Sequence, residues 1–357
     1  VANRADTEGL PPIKVVGVGG AGCNAVNRMI EAGVKGVQFV GINTDTQALM
    51  RCEADSRLRI GDRLTKGLGV GGDADRGQRA AEESRDEILE TVRGSEMVFI
   101  TAGMGGGTGT GAAPTIAETA KEAGALTVAV VTKPFSFEGS RRRLQAEDGI
   151  STLRDRVDTL IVIPNDRLLS ICDQKTSLTE AFRVADDILR QGIQGISELI
   201  TTPGDINLDF ADVRRIMSEA GPSLMAIGRG SGENRAVDAA KAAITSPLLD
   251  VSIHGARGVL FNITASTNLG LHELNMAAQV IAEVVDPDAE VIFGTATDRD
   301  MGDEVQITLI AVGFATPELY EEPTREERLR QLRGESLEQG IVDTELPSFL
   351  RRPVVTR

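Results

Sequence analysis

Short apolar runs alternate with stretches of helical periodicity through the first half of the chain. Residues 13–22 (IKVVGVGGAG) begin as an apolar run and pass into glycines. Residues 23–33 (CNAVNRMIEAG) then place apolar side chains at helical spacing, closed by Gly33. Further apolar runs lie at 37–45 (VQFVGINTD), 96–103 (EMVFITAG), 125–134 (ALTVAVVTKP) and 158–166 (DTLIVIPND), with helical stretches at 76–94 and 114–125 between them. These runs are apolar on both faces, which predicts strands of a buried parallel sheet with helices covering it. The fold class expected is α/β, a doubly wound, Rossmann-like domain.

At 177–204 the residues Phe182, Ala185, Ile188, Leu189, Ile193, Ile196 and Ile200 keep helical spacing until Thr202, Pro203 and Gly204 end it. A helix this long can link one domain to a second. From 222 the order becomes strand (224–229), helix (235–246), strand (258–266), helix (271–285) and strands at 289–297 and 304–314. The last two are expected to be antiparallel neighbours around a turn at Arg299–Gly302. The predicted organisation is a flexible tail at 1–12, a nucleotide-binding domain at 13–176 and a central helix, loop and second helix at 177–222. A smaller α+β domain at 223–316, a charged linker at 317–342 and a terminal peptide at 343–357 follow.

Composition narrows the chemistry. A chain of 357 residues suits two domains with tails, and its net charge of −15 disfavours nucleic acid or anionic lipid as a partner. Three cysteines without a CxxC pair suggest neither a disulfide framework nor a zinc site, and two histidines, His254 and His272, leave little room for histidine catalysis. No apolar run reaches the ~18 residues of a membrane span. The N-terminal residues also lack the apolar core of a signal peptide, so a soluble cytoplasmic protein is expected.

Two glycine clusters carry the candidate chemistry. Gly17, Gly19 and Gly22 satisfy GxGxxG between a strand and a helix, and Asp45 sits where a dinucleotide enzyme keeps its ribose carboxylate. The second cluster, AGMGGGTGTGAAP at 102–114, lies between an apolar strand and a helix expected to begin at Pro114. It lacks the lysine of the common phosphate loop. Backbone N–H groups aimed by a helix N-terminus bind anions without a side-chain cation, and Thr108 and Thr110 can add hydroxyl donors. Two such loops at neighbouring strand ends can surround one polyphosphate, whereas an oxidoreductase using a dinucleotide, the rival reading, needs only the first.

With GGGTGTG at 105–111 on the page, the chain resembles the tubulin/FtsZ family, in particular the bacterial FtsZ type. GVGGAGCNAV, INTD, KGLGVGGD, TKPFSFEGSRR, IPNDRL, TEAFRVADDIL and NLDFADVR match in order over almost the whole chain. The resemblance implies a GTP-binding domain, a central helix and a C-terminal α+β domain. It also implies a GTPase active on assembly, which polymerises head-to-tail into the filaments of a midcell division ring. A tubulin-like filament protein with another task is the nearer rival.

Carried over by position, the resemblance puts phosphate contacts on Gly19, Gly20, Ala21, Gly103, Gly105, Gly106, Gly107, Thr108 and Gly109. The loop Gly67–Asp73, with Gly71 and Gly72, would sense the γ-phosphate and Mg²⁺; its glycines suit a loop that changes conformation. Glu138 and Arg142 would lie at the ribose, Asn165, Asp186, Asn24 and Phe182 around guanine, and Pro134 would also contact the nucleotide. Guanine N1–H and N2–H₂ suit a carboxylate, and an asparagine amide can donate to O6 or N3. From the residues alone, Asp186 and its neighbour Asp187 are equal candidates.

Asp209 and Asp212, with Asn207 beside them, could simply cap and charge the start of a helix at 210–218. The resemblance instead implies that they act in trans on the next subunit's GTP. It implies Mg²⁺ carried by the phosphates rather than by protein ligands, with K⁺ as a candidate assistant. The peptide Asp343–Pro353 would dock membrane tethers and regulators, with no direct membrane insertion.

Overall fold

The structure, a computed structural model, describes residues 10–314 except 171, 173, 174, 203, 205, 207, 250–252 and 254. The expectations placed on Asn207, the linker and the peptide Asp343–Pro353 fall outside these residues.

The chain begins β1 (Ile13–Val18), α1 (Gly19–Glu31), β2 (Gln38–Asn43), α2 (Thr46–Met50), β3 (Ser56–Arg59), α3 (Asp62–Thr65), α4 (Ala74–Glu83) and α5 (Arg85–Val92). It continues with β4 (Met97–Gly103), α6 (Thr108–Glu122), β5 (Leu126–Lys133), α7 (Ser140–Arg154), β6 (Thr159–Pro164), α8 (Asn165–Leu168), α9 (Leu178–Thr201) and α10 (Phe210–Met217). The remainder is β7 (Gly221–Gly230), α11 (Arg235–Ile244), β8 (Gly258–Ala265), α12 (Leu271–Ala282), β9 (Glu290–Thr297) and β10 (Val305–Val312). Among these elements no helix is long and apolar enough to cross a membrane.

The ten strands of the described residues form one sheet in the order β3-β2-β1-β4-β5-β6-β7-β10-β8-β9. From β3 to β7 the pairs are parallel, and β1, β4 and β5 are buried along nearly their whole length, as strands apolar on both faces must be. Strand β7 joins the halves. It pairs parallel with β6 through Gly221–Ser223, and antiparallel with β10 from Leu224 to Gly230. Across this junction lies α9, whose N-terminus carries a reciprocal Ser177–Glu180 capping box. At Gly192 it passes so close to Met225 and Val130 that an added Cβ would meet the Met225 sulfur at 2.6 Å. Gly195 does the same against Thr308 of β10.

Four local expectations are corrected. Strands β9 and β10 are not neighbours, because β8 lies between them, parallel to β9 and antiparallel to β10. Apolarity explains this: VQITLIAV of β10 is buried almost throughout and takes an interior place, whereas β9 exposes Glu290 and Val291 and takes the edge. The helix expected at 76–94 is two helices, α4 and α5, broken at Ser84, whose Oγ accepts from Gly61 N at 3.1 Å.

The third correction concerns α6, which starts at Thr108 rather than Pro114, so half of the glycine cluster is already helical. Gly111 is there for packing: a Cβ would lie 1.9 Å from Ala74 O, and at Gly77 one would lie 2.4 Å from Gly107 O. Helices α4 and α6 thus meet backbone to backbone through glycines. The fourth concerns Thr110, which does not face the cleft described below. Its Oγ1 instead accepts from Gly105 N at 2.8 Å and fixes the loop from behind.

Candidate nucleotide site and the acidic loop

The C-terminal ends of β1, β4, β5 and β6 open on a cleft of about 490 Å³, where an α/β sheet places its ligands. Its floor is Gly20 and Ala21 of α1, and Gly103, Gly106, Gly107, Thr108 and Gly109 between β4 and α6. Neither α1 nor α6 has a side-chain cap or an acid in its first turn, so their N-terminal N–H groups and dipoles are left for an anion. By contrast α2 and α4 are capped by Asp45 and Asp73. Asp45, a ribose candidate by spacing, accepts from Gln47 N and Ala48 N while also lining the cleft.

Some predicted contacts serve the cleft from outside its wall. An added Cβ at Gly19 would lie 2.9 Å from Gly109 N, so this glycine brings the two loops together. Gly105 packs against the backbone of Arg142, where a Cβ would lie 2.7 Å from the carbonyl oxygen. Gly17 and Gly22 seat α1 on the sheet; a Cβ at Gly22 would meet Thr101 O at 2.3 Å. Asn24 lines an adjoining cavity, which shares Phe182 and Asp186 with the cleft.

The upper walls are Gly71 and Gly72 on one side, and Pro134, Glu138 and Arg142 on another. Among the described residues Arg142 is the one basic residue lining the cleft, and it donates to Glu138 Oε2 at 2.6 Å. The Glu138 Oε1 accepts from Phe135 N at 2.9 Å, so this carboxylate anchors the turn after β5. Phe182 stands edge-on to Phe135, with ring centroids 5.5 Å apart.

At the far end lie Asn165 and Asp186. Asn165 is 4% exposed, and its buried Oδ1 has no hydrogen-bond partner among the described residues, an acceptor awaiting a donor. Asp186 lines the cleft, and burial pushes its carboxyl up to about 7 against the opposing pull of Arg28. Its neighbour Asp187 is bound to Arg190 at 2.6 Å and accepts from Gln191, which separates two residues the sequence left equal.

Asp209 and Asp212 are elsewhere. Asp209 occupies the N-cap position of α10 without making a side-chain cap, and Asp212 lies 3.2 Å from Arg215, which also pairs with Glu290. Helix α10 leads into the start of β7. Arg214 on it reaches Glu96 O at 3.2 Å and Gly124 O at 3.4 Å, just before β4 and β5 begin. The acids therefore sit at the N-terminal end of the sheet and the cleft at its C-terminal end. They are separated by the seven residues of β4, about 20 Å of strand.

Models of two protein families match the chain. The tubulin/FtsZ family GTPase domain covers residues 12–173, and the FtsZ family C-terminal domain covers 221–315. The chain belongs to the tubulin/FtsZ family. An FtsZ dimer from M. jannaschii superposes with a TM-score of 0.83 at 42% identity, over 88% of this chain and 96% of that one. A mutant of the M. jannaschii FtsZ gives 0.83 at 44% identity, over 86% and 92%. A GDP-bound CetZ1 from Haloferax volcanii, at 22% identity and a TM-score of 0.75 over 91% and 100%, shows the shared fold alone.

As a tubulin/FtsZ GTPase domain, residues 12–173 imply GTP and GDP as the nucleotides. Several parts of the site escaped the sequence reading. Thr44 lines the cleft, and its Oγ1 is 2.7 Å from Thr108 Oγ1, tying the segment after β2 to the start of α6. Asn43, buried, holds that segment by accepting from Thr44 N at 2.8 Å. The INTD motif contains both, but only its aspartate stands at a spacing that signals a ligand contact. Gln145, behind the loops, had no motif to announce it.

Proposed function

We propose that this chain is a self-assembling GTPase whose active site is divided between two copies. The observation that carries this reading is the placement of a phosphate cradle and an acidic pair at opposite ends of one sheet. One molecule cannot bring them together, whereas head-to-tail stacking puts the acidic end of one copy over the cleft of the next. Such a heterologous contact generates open filaments.

In this reading the domains are the tail at 1–12, the GTP-binding domain at 13–176, the central helix and catalytic loop at 177–222, and the α+β domain at 223–316, followed by linker and peptide. The N–H groups at the starts of α1 and α6, with Thr108, hold the phosphates, and Gly71 and Gly72 close over the terminal one. Glu138 and Arg142 lie at the ribose. Asp186 accepts from guanine N1–H and N2–H₂, Asn165 Oδ1 takes a further base donor, and Phe182 packs on the ring. Adenine offers no such donor pair and would leave Asp186 unmatched.

Mg²⁺ would be carried by the phosphates; among the described residues no group of three or more His, Cys, Asp or Glu could hold a metal. It supplies charge neutralisation at the phosphates when bound, with K⁺ a candidate assistant. Asp209 and Asp212 from the neighbouring copy, with Asn207, orient the attacking water. Phosphoryl transfer asks for positioning and charge stabilisation, so no protein nucleophile is required. Phosphate release weakens the contact and gives turnover.

The family and the peptide DTELPSFLRRP favour a cytoplasmic division ring at midcell, with Leu346, Phe349 and Leu350 as apolar anchors for membrane tethers and regulators. GTP turnover measured against protein concentration, with light scattering in parallel, tests the assembly-dependent site. A threshold below which turnover per copy nearly vanishes is expected. Rates proportional to protein from the lowest concentrations would rule it out.

A further inference from the structure

Helix α7 approaches the cleft twice. Arg142 on its first turn forms part of the wall, and Gln145, one turn later, runs behind the phosphate cradle. From there Gln145 Nε2 lies within hydrogen-bond distance of three backbone carbonyls: Gly106 O at 2.9 Å, Gly72 O at 3.0 Å and Gly105 O at 3.2 Å. Two of these belong to the loop after β4, and the third belongs to the loop before α4. One side chain therefore joins both glycine loops. An amide nitrogen carries two hydrogens, so three acceptors compete for two donors.

The competition matters because of where Gly72 sits. Gly71 and Gly72 adopt φ of 63° and 83°, and an added Cβ at either would have open space around it. These glycines serve backbone conformation rather than packing. The start of the loop is fastened to the segment after β2, through Gly69 N to Thr44 O at 3.2 Å. Among the described residues, the hydrogen bond tying its tip to another element comes from Gln145. If the tip withdraws, the amide still has Gly105 O and Gly106 O for its two hydrogens, so withdrawal leaves no donor stranded.

We propose that Gln145 is a positioning residue that latches the Gly71–Gly72 tip to the phosphate cradle and releases it at low cost, making the closed loop conditional on the terminal phosphate of the nucleotide. This rests on the reading of the cleft as a GTP site. With that phosphate present, the tip is drawn in and Gly72 O shares the amide. Without it, the amide turns to Gly105 and Gly106, and the tip opens. Gln145 touches no reacting atom; it acts through two loops that do.

The test uses the full chain at concentrations well below any assembly threshold, with GDP and a slowly hydrolysed GTP analogue as probes. Amide hydrogen exchange of residues 67–73 and the two dissociation constants are measured for wild type, Gln145→Leu, Gln145→Glu and Gln145→Lys. Wild type is expected to protect the loop more with the analogue than with GDP. Gln145→Leu removes the donors, abolishes that difference and lowers the analogue-to-GDP affinity ratio about two- to threefold, the low end of one hydrogen bond's worth because the amide keeps two acceptors when the tip opens. Gln145→Glu keeps the shape without the donors and behaves likewise, which serves if the leucine variant misfolds. Gln145→Lys keeps donors and restores most of the difference. Equal protection of 67–73 in wild type with both nucleotides overturns the latch, as does an unchanged ratio in both Gln145→Leu and Gln145→Glu, or failure of lysine to restore it. If wild type binds neither nucleotide, the GTP reading falls and the latch with it.

Discussion

Asp187 is paired with Arg190 on its own helix, its Oδ1 2.6 Å from the guanidinium Nε, while Asp186, one residue earlier, lines the cleft with its carboxyl pushed up to about 7 by burial. A carboxyl poised there is half-protonated at neutral pH, and the guanine contact proposed for it requires it ionised. Nucleotide affinity is therefore expected to fall about tenfold from pH 8 to pH 6, the change in ionised fraction of such a group. Asp186→Asn should flatten that part of the profile, leaving only the titration of the phosphates. Equal slopes in both proteins would remove Asp186 from the base.

The same shift has a stability consequence without nucleotide. The folded carboxyl titrates above its ordinary 3.8, so folded chains keep a proton that unfolded chains have lost. Stability on this account is unaffected below pH 3.8, declines as pH rises from there to about 7, and is level above. Asp186→Asn should raise the melting temperature of the nucleotide-free protein at pH 8, with the gain shrinking towards pH 4. A gain of the same size at both pH values would assign the effect to packing.

Base recognition through N2–H₂ can be read directly with inosine diphosphate, which lacks that group. Binding weaker than GDP by about 5- to 150-fold is expected, equivalent to ~1–3 kcal/mol for stranded buried acceptors. Equal affinities would mean that Asn165 and Asp186 do not read the exocyclic amine.

On the proposed function, the glycines of 103–111 divide between packing and ligand. Gly111→Ala forces a Cβ to within 1.9 Å of Ala74 O, so α4 and α6 must separate, costing about 1–3 kcal/mol or more in chemical denaturation. Gly106→Ala meets nothing within 4 Å and should unfold at the wild-type midpoint while binding GDP more weakly. Reversed sensitivities would contradict this division.

Asp212→Ala should bind GTP within about a factor of two of wild type, because Asp212 lies at the opposite end of the sheet from the cleft. Its turnover at saturating protein should drop on the order of 10²-fold, as for loss of a water-orienting carboxylate. A variant that kept wild-type turnover would return Asp212 to its structural partner Arg215.

Much of this was legible because burial on both faces leaves an unmistakable apolar run, as in β1, β4 and β5. Where burial is one-sided or brief, the signal failed. SRLR of β3 alternates half-buried and exposed residues at a sheet edge, and it went unseen. Tertiary partners decided the rest. Gly111 belongs to a helix because Gly77 lets α4 lie against it, and β10 enters the sheet beside β7 because its own strand is buried almost throughout, which no local turn signal disclosed. In the cleft, the glycine loops announced themselves as motifs. Gln145 did not, since a glutamine on a helix acquires meaning only from three carbonyls contributed by two distant loops.

Mixing two crippled variants shows whether one copy's acids complete another's cleft. Asp186→Ala keeps the acidic loop but binds nucleotide poorly, and Asp212→Ala keeps the cleft but lacks a water-orienting acid. A junction between an Asp212→Ala cleft and an Asp186→Ala loop has every wild-type part; with random mixing, roughly a quarter of head-to-tail junctions are of this kind. The mixture should hydrolyse GTP far faster than either variant alone, towards a quarter of the wild-type rate. A rate equal to the average of the two separate variants would contradict a site shared between copies.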